Sequence, residues 1–131
     1  MSVPTQSPRP PRVICVDDEP VMRDVLALYL RRQGFETETA PDGLAAWEII
    51  SQDLTRFDVV ITDNQMPNLE GIGLVEKLRE NGYTGHIVFF SSTLPRQSAE
   101  RLARLNVDAI VEKGRPLVEL MGALKRGFER K

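Results

Sequence analysis

The sequence predicts an α/β protein in which a strand-then-helix unit repeats five times, giving a doubly wound, five-stranded parallel sheet between two helical layers. Three observations carry that expectation. Short apolar runs recur, "RVICV", "FDVVIT", "HIVFFSS" and "DAIVE", and continuous rather than alternating runs mark strands covered on both faces. Between them lie segments with apolar residues at helical spacing, punctuated by Pro, Asp and Gly. The two kinds of segment alternate throughout, and strands joined through helices of this length take right-handed crossovers and lie parallel.

Residues 1–11, "MSVPTQSPRPP", hold four of the nine prolines and few apolar groups, so a flexible, PPII-leaning tail is expected there and the folded domain over 12–131. "RVICV" is the first strand. The helix after it opens with Pro20, suited to a first turn, and stops at Gly34; Val21, Val25, Leu28 and Tyr29 are expected to share its inward face. "FETETA" alternates and reads as a more exposed strand. "PDGLAAWEIISQ" reads as a helix with Asp42 as N-cap and Trp47 packed on the apolar face. "FDVVIT" is apolar enough to be central in the sheet. A helix over 71–81 turns Ile72, Val75 and Leu78 inward, Gly82 and Gly85 bracket the next turn, and "HIVFFSS" is the fourth strand. A short helix over 98–105, the strand "DAIVE" and a last helix from Pro116 complete the chain. In that last helix Leu117, Leu120, Met121, Leu124 and Phe128 fall on one stripe.

The 131 residues fit one domain with one core, which leaves no room for a second catalytic domain. Charged residues make up 27% and the AVILMFWYC set 41%, a globular mixture. No apolar stretch reaches the ~18 residues a membrane span needs, and the N-terminus lacks an apolar signal core, so a cytoplasmic protein without membrane contact is expected. Seventeen basic against nineteen acidic residues argue against direct nucleic-acid binding. Acidic residues dominate up to residue 92 and basic ones after it, a pattern that fits solvated helix faces or an acidic partner surface. The single cysteine, Cys15, sits inside an apolar strand and is expected to be a buried small hydrophobe. His86 opens a strand with no second His or Cys nearby, so a strand-end polar role is expected rather than a metal ligand.

In an open doubly wound sheet, chemistry collects at the carboxyl ends of the strands. There stand Asp17, Asp18 and Glu19 after the first strand, Asp63 after the third, Ser91 and Ser92 at the fourth, and Glu112 and Lys113 at the fifth. Clustered carboxylates repel unless protonated or bridged by a cation, and hard oxygen ligands of this kind suit Mg²⁺. A carboxylate beside a metal and an ammonium is a nucleophile for phosphoryl transfer, with a hydroxyl to hydrogen-bond the phosphoryl oxygens. Asp63 is then the residue expected to be phosphorylated. Each position also has a plainer reading: the Asp pair can favour a helix dipole, Ser91 can be an ordinary strand-end hydroxyl, Lys113 a surface lysine. Glu19 is expected to cap the first helix rather than approach a metal.

"VDDE", "DNQMPNLEG", "SS" and "EK", in this order at successive strand ends, resemble the receiver domain of two-component response regulators, over nearly the whole chain from Arg12. The resemblance implies a flavodoxin-like sheet of order 2-1-3-4-5 and a bacterial, cytoplasmic phosphorelay protein. It implies Asp63 as phosphoacceptor and Mg²⁺ or Mn²⁺ as cofactor, with Asp18 and Asp63 as direct ligands, Asp17 acting through water and Gln65 supplying its backbone carbonyl. Ser91 matches the hydroxyl that closes onto the phosphoryl group, Ser92 its small neighbour, and Lys113 the lysine that pairs with the phosphoryl group or the carboxylate. Met66, Pro67 and Gly71 shape the loop. The implied partners are a histidine kinase or histidine phosphotransfer protein and a downstream protein. The latter would dock on the face of the fourth helix, fifth strand and fifth helix, where a phosphorylation-dependent dimer is a further possibility. Catalysis is expected to stop at metal-assisted self-phosphorylation and autodephosphorylation, with Asp63 and Lys113 as its catalytic pair.

Two positions depart from the family pattern. The lysine is usually followed by a cis proline, whereas "EKGRP" puts Pro116 three positions on. A cis Lys113–Gly114 bond would cost ~2.5–4 kcal/mol against ~0.5–1 for X-Pro, so a trans bond and an altered loop are expected. Ile110 stands where receivers that switch by aromatic rotation carry Tyr or Phe, so loops near 92–98 and 113–116 are expected to carry the change instead. Two other functions fit parts of the pattern. One is an unphosphorylated pseudo-receiver that only docks. The other is a haloacid-dehalogenase-like phosphatase, but its nucleophile belongs to a D-x-D on the first strand of its motif, while "DNQ" lacks the second Asp and follows the third strand.

Overall fold

The computed structural model describes residues 9–92 and 96–129. Ten elements alternate: β1 (Arg12–Val16), α1 (Pro20–Arg32), β2 (Glu36–Ala40), α2 (Gly43–Ile50), β3 (Val59–Thr62), α3 (Gly71–Glu80), β4 (His86–Ser91), α4 (Arg96–Arg104), β5 (Ala109–Glu112) and α5 (Leu117–Glu129). All strands are parallel in the order β2-β1-β3-β4-β5, so β3 is central, as its composition predicts, and its four residues are buried.

Successive strand residues serve opposite helical layers. Val13, Cys15, Val59, Ile61, Val88 and Phe90 pack with Leu26 and Leu30 of α1 and Leu120, Met121 and Leu124 of α5. Ile14, Val16, Val60, Ile87 and Phe89 pack with Ala46 and Ile50 of α2, Leu74, Val75 and Leu78 of α3, and Leu102 of α4. That division explains the unbroken apolar runs, because a residue on either face of the pleat meets a helix. Each fully buried Val, Leu, Ile or Phe contributes about 1.5–3 kcal/mol of transfer free energy. The thiol of Cys15, fully buried, is pushed up to about 12 by that burial, which makes it unreactive.

The helix ends follow local chemistry. Asp42 caps α2, its Oδ1 accepting from the Ala45 N–H at 2.8 Å. In α1 the inward face differs from the expected one. Leu26, Ala27 and Leu30 are buried with Met22 and Tyr29 beside them, whereas Val21, Val25 and Leu28 are 77%, 45% and 52% exposed. The helix carries two adjacent apolar stripes, and periodicity does not choose between them; the stripe that β1 and α5 can cover is the one buried.

The amino-terminal edge of the sheet is tied by Arg79 of α3. Its guanidinium donates to the carbonyls of Tyr83, Leu105 and Asn106 at 2.8 Å and of Gly85 at 3.0 Å. His86 Nδ1 lies 3.3 Å from Asp108 Oδ1 on the neighbouring strand entry, which fits the strand-end role. Of the expected tail, residues 1–8 lie outside the described residues; Arg9 pairs with Asp58 at 2.9 Å and the Pro11 carbonyl accepts from Glu36 N–H. Part of the loop expected to reorder, 93–95, and the side chain of Phe128 lie outside the described set.

Candidate functional site

Three backbone hydrogen bonds extend the sheet one residue past its strand ends. Asp17 N–H donates to the Ala40 carbonyl, Asp63 N–H to Val16 and Lys113 N–H to Ser91, at 3.1, 3.0 and 3.0 Å. Because β1 and β3 end level, with Val16 paired to Thr62, and β4 and β5 run on together to Ser91 and Glu112, these bonds bring two aspartates and a lysine to one edge. The sequence alone places Asp17 and Lys113 nearly a hundred residues apart.

Asp63 is buried, and its carboxylate is held from two sides. Oδ1 accepts from the Asn64 N–H at 2.7 Å and Oδ2 from Lys113 Nζ at 2.8 Å. Its carbonyl accepts from the Thr62 hydroxyl at 2.8 Å. The chain then turns sharply, with Gly71 N–H bound to the Asn64 carbonyl and Ile72 N–H to Asn64 Oδ1. A Cβ at Gly71 would collide with the Asp63 carbonyl oxygen, so only glycine allows α3 to start this close to Asp63. The roles of Asn64, although it lies inside "DNQMPNLEG", and of Arg23, whose guanidinium holds the Asp17 carbonyl at 2.7 Å, escape sequence reading, since both act through backbone groups.

Lys113 binds three carboxylates: Asp17 Oδ2 and Asp63 Oδ2 at 2.8 Å and Glu19 Oε1 at 3.1 Å. Burial works to lower its pKa, but the hydrogen bonds to Asp17, Asp63 and Glu19 prevail and hold it above the ordinary lysine value. Asp17 is shifted upward, by burial first, against the opposing pull of Lys113 and the Glu19 N–H. The expected cap of α1 is corrected here. Glu19 occupies the N-cap position without a side-chain cap bond, and its carboxylate crosses to Lys113; the Glu19 N–H is instead bound by Asp17 Oδ1 at 2.9 Å. A flexible glutamate finds an ammonium a better partner than backbone N–H groups.

Asp17, Asp18 and Asp63 offer carboxylate oxygens within 4.8 Å of one another. Four carboxylates, Glu19 included, face one ammonium, an excess of negative charge and a hard-oxygen donor set that fit a divalent cation. Asp18, Glu19, Asp63, Gln65, Ser91, Ser92 and Lys113 line an open cleft of about 320 Å³ above them, with Asp17 below. Thus Asp18, Asp63, Gln65, Ser91, Ser92 and Lys113, all singled out as metal- or phosphoryl-binding, line one cleft, and Asp17 is buried beside it, bound to Lys113. Ile110 does not; it stands 49% exposed on β5, on the outer surface. Among the described residues no peptide bond is cis, so Lys113–Gly114 is trans as expected, and Gly114 takes φ +89°, a conformation that glycine tolerates.

The response regulator receiver domain family matches residues 13–125. Chemotaxis protein CheY-3 of Vibrio cholerae is 30% identical over 122 residues, covering 91% of this chain and 92% of that protein. Sensor histidine kinase RcsC of Salmonella typhimurium is 30% identical over 101 residues, 77% of this chain, and this chain spans only 10% of its length. Among solved structures, response regulator TrrA of Thermotoga maritima in complex with Mg²⁺-BeF shares 27% identity at a TM-score of 0.79, covering 88% of this chain and 97% of that one. Vibrio cholerae CheY4 shares 25% identity at 0.82, with 90% and 98% covered. The phosphatase alternative loses its ground, since Asp63 follows β3 of a receiver-type sheet. The chain belongs to the response regulator receiver domain family, whose members take a phosphoryl group on an aspartate in two-component signalling.

Proposed function

We propose that Asp63 is the phosphoacceptor of this receiver. The observation that carries the reading is the convergence of Lys113 Nζ, 2.8 Å from Asp63, with Asp17 and Asp18 beside them. Receiver domains bind Mg²⁺ in an acidic pocket; here Asp18 and Asp63 would hold Mg²⁺ or Mn²⁺ directly, Asp17 through water, and Gln65 by its backbone carbonyl. Bound there, the cation supplies positive charge for the phosphoryl oxygens.

In the transfer, a carboxylate oxygen of Asp63 bonds to phosphorus while the bond from phosphorus to the ring nitrogen of a phosphohistidine breaks. That nitrogen keeps the bonding pair and leaves as neutral imidazole when the other ring nitrogen carries a proton. Lys113 stays at the reacting carboxylate and meets the incoming phosphoryl oxygens; the Ser91 hydroxyl closes on another, with Ser92 small beside it. The modification adds about −1.5 to −2 charge and three acceptor oxygens beside Lys113, enough to reorder the loop after β5.

Receiver domains interact with histidine kinases and downstream effectors. For this chain we assign the donor to a histidine kinase or histidine phosphotransfer protein and the effector to the face of α4, β5 and α5, where Ile110 and Val118 are exposed. The setting is cytoplasmic, in keeping with the lack, among the described residues, of any helix long and apolar enough to cross a membrane. Beryllofluoride titrated with Mg²⁺ tests the site: amide shifts are expected around 63–66, 91–92 and 112–114 in the unsubstituted chain and not in Asp63→Ala. Equal shifts in both would refute the assignment.

A further inference from the structure

Building on that reading of the site, we infer that Glu19 is a positioning residue for Lys113, the carboxylate that keeps the ammonium at Asp63 when a divalent cation draws on Asp17. Three observations lead there. First, the backbone fixes only the root of the lysine side chain. β5 ends at Glu112, the Lys113 N–H has its bond to the Ser91 carbonyl, and the next three residues, Gly114, Arg115 and Pro116, are exposed. The ammonium's position is therefore set by its three acids. Second, two of those acids, Asp17 and Asp63, belong to the trio of carboxylates that could hold a cation, and Glu19 does not. A cation bound there competes with Lys113 for Asp17 and leaves Glu19 as an acid that is the lysine's alone. Third, Glu19 stands at the N-cap of α1 yet makes no side-chain cap bond; its carboxylate spends itself on Lys113 at 3.1 Å.

The Glu19 side chain is 64% exposed, so this ion pair adds little to folding stability. Its effect belongs to the site. With Glu19 present, Lys113 gives up Asp17 and retains two acids; without it, the cation must displace a lysine that has fewer places to go.

A double-mutant cycle on Mn²⁺ affinity, read from the electron paramagnetic resonance signal of unbound Mn²⁺, tests this in the full chain with Glu19→Gln, Lys113→Met and the double variant. Glutamine keeps the shape and the backbone N–H to Asp17, and thermal unfolding of Glu19→Gln is expected to match the unsubstituted chain. We expect Glu19→Gln to weaken Mn²⁺ binding by about threefold to fivefold when Lys113 is present and to have almost no effect when it is Met. Equal weakening in both backgrounds would overturn the proposal, because Glu19 would then act on the cation as a plain charge. Unchanged Mn²⁺ affinity in Glu19→Gln with Lys113 present would overturn it too. Failure of the unsubstituted chain to bind Mn²⁺ at all would overturn both this inference and the cation site beneath it, whereas equal weakening by Glu19→Gln in both backgrounds would leave that site standing.

Discussion

Lys113 Nζ sits 2.8 Å from Oδ2 of Asp63, although 50 positions separate the two residues in sequence and the peptide bond after the lysine is trans. The altered loop "EKGRP" therefore still delivers the ammonium to the carboxylate. The case for a docking-only protein that rested on this departure is weakened accordingly.

Lys113→Met removes the one ammonium seated among four carboxylates. Phosphorylation by a small-molecule donor such as phosphoramidate is expected to slow by about 10²-fold at saturating Mg²⁺, the scale seen when one preorganised donor to a developing charge is lost. Because the carboxylates then repel without relief, Mg²⁺ should raise the unfolding temperature of this variant more than that of the unsubstituted chain. Calorimetry with and without Mg²⁺ checks the second point; an equal rise would count against it.

Alkaline stability carries the signature of the same lysine. Its folded-state value lies above the ordinary 10.5, so above that pH the folded chain keeps a proton that the unfolded chain has lost. The stabilisation is complete below about pH 10.5 and is lost as pH rises through the higher folded value. Burial raises Tyr83 and Cys15 in the same sense, so the comparison must be with Lys113→Met. Urea unfolding at rising pH should show a shallower decline in that variant, and identical slopes would contradict the ion-pair account.

Gly71→Ala puts a methyl against the Asp63 carbonyl oxygen, with backbone on both sides unable to swing away. A loss of about 1–3 kcal/mol is expected from such overpacking. Since the displaced backbone carries Asp63, slower phosphorylation should accompany the loss. Urea denaturation together with the phosphoramidate rate measures both.

Arg79→Lys tests the opposite edge of the sheet. Lysine cannot reach four carbonyls spread over two loops, and a loss of about 2–4 kcal/mol follows from acceptors left unpaired. At saturating Mg²⁺ and below the unfolding temperature the phosphorylation rate should stay as it is, because this cluster lies at the far ends of the strands. A slowed rate would show coupling across the sheet.

How much of this was legible in the sequence varied with the kind of information needed. The strand runs and the spacing of Ile72, Val75 and Leu78 are local patterns, and they read correctly because each burial decision repeats every few residues. The inward face of α1 did not read correctly: Val21, Val25 and Leu28 are as apolar as the stripe that is buried, and only the three-dimensional neighbours of the helix decide. The residues of this edge were legible because topology sends strand ends to one edge, so position at a strand end was enough to bring Asp17, Asp63, Ser91 and Lys113 together. Glu19 was misread as a cap because its partner lies 94 positions away, and the roles of Asn64 and Arg23 were invisible because their bonds go to backbone groups.

The central claim is that Asp63 accepts a phosphoryl group with help from a cation held beside it. Intact mass after incubation with acetyl phosphate and Mg²⁺ addresses it most directly, with Asp63→Ala and an EDTA-treated sample alongside. A gain of one phosphoryl group that disappears in both controls is the predicted result. A gain that persists in Asp63→Ala, or no gain in any sample, would contradict the account.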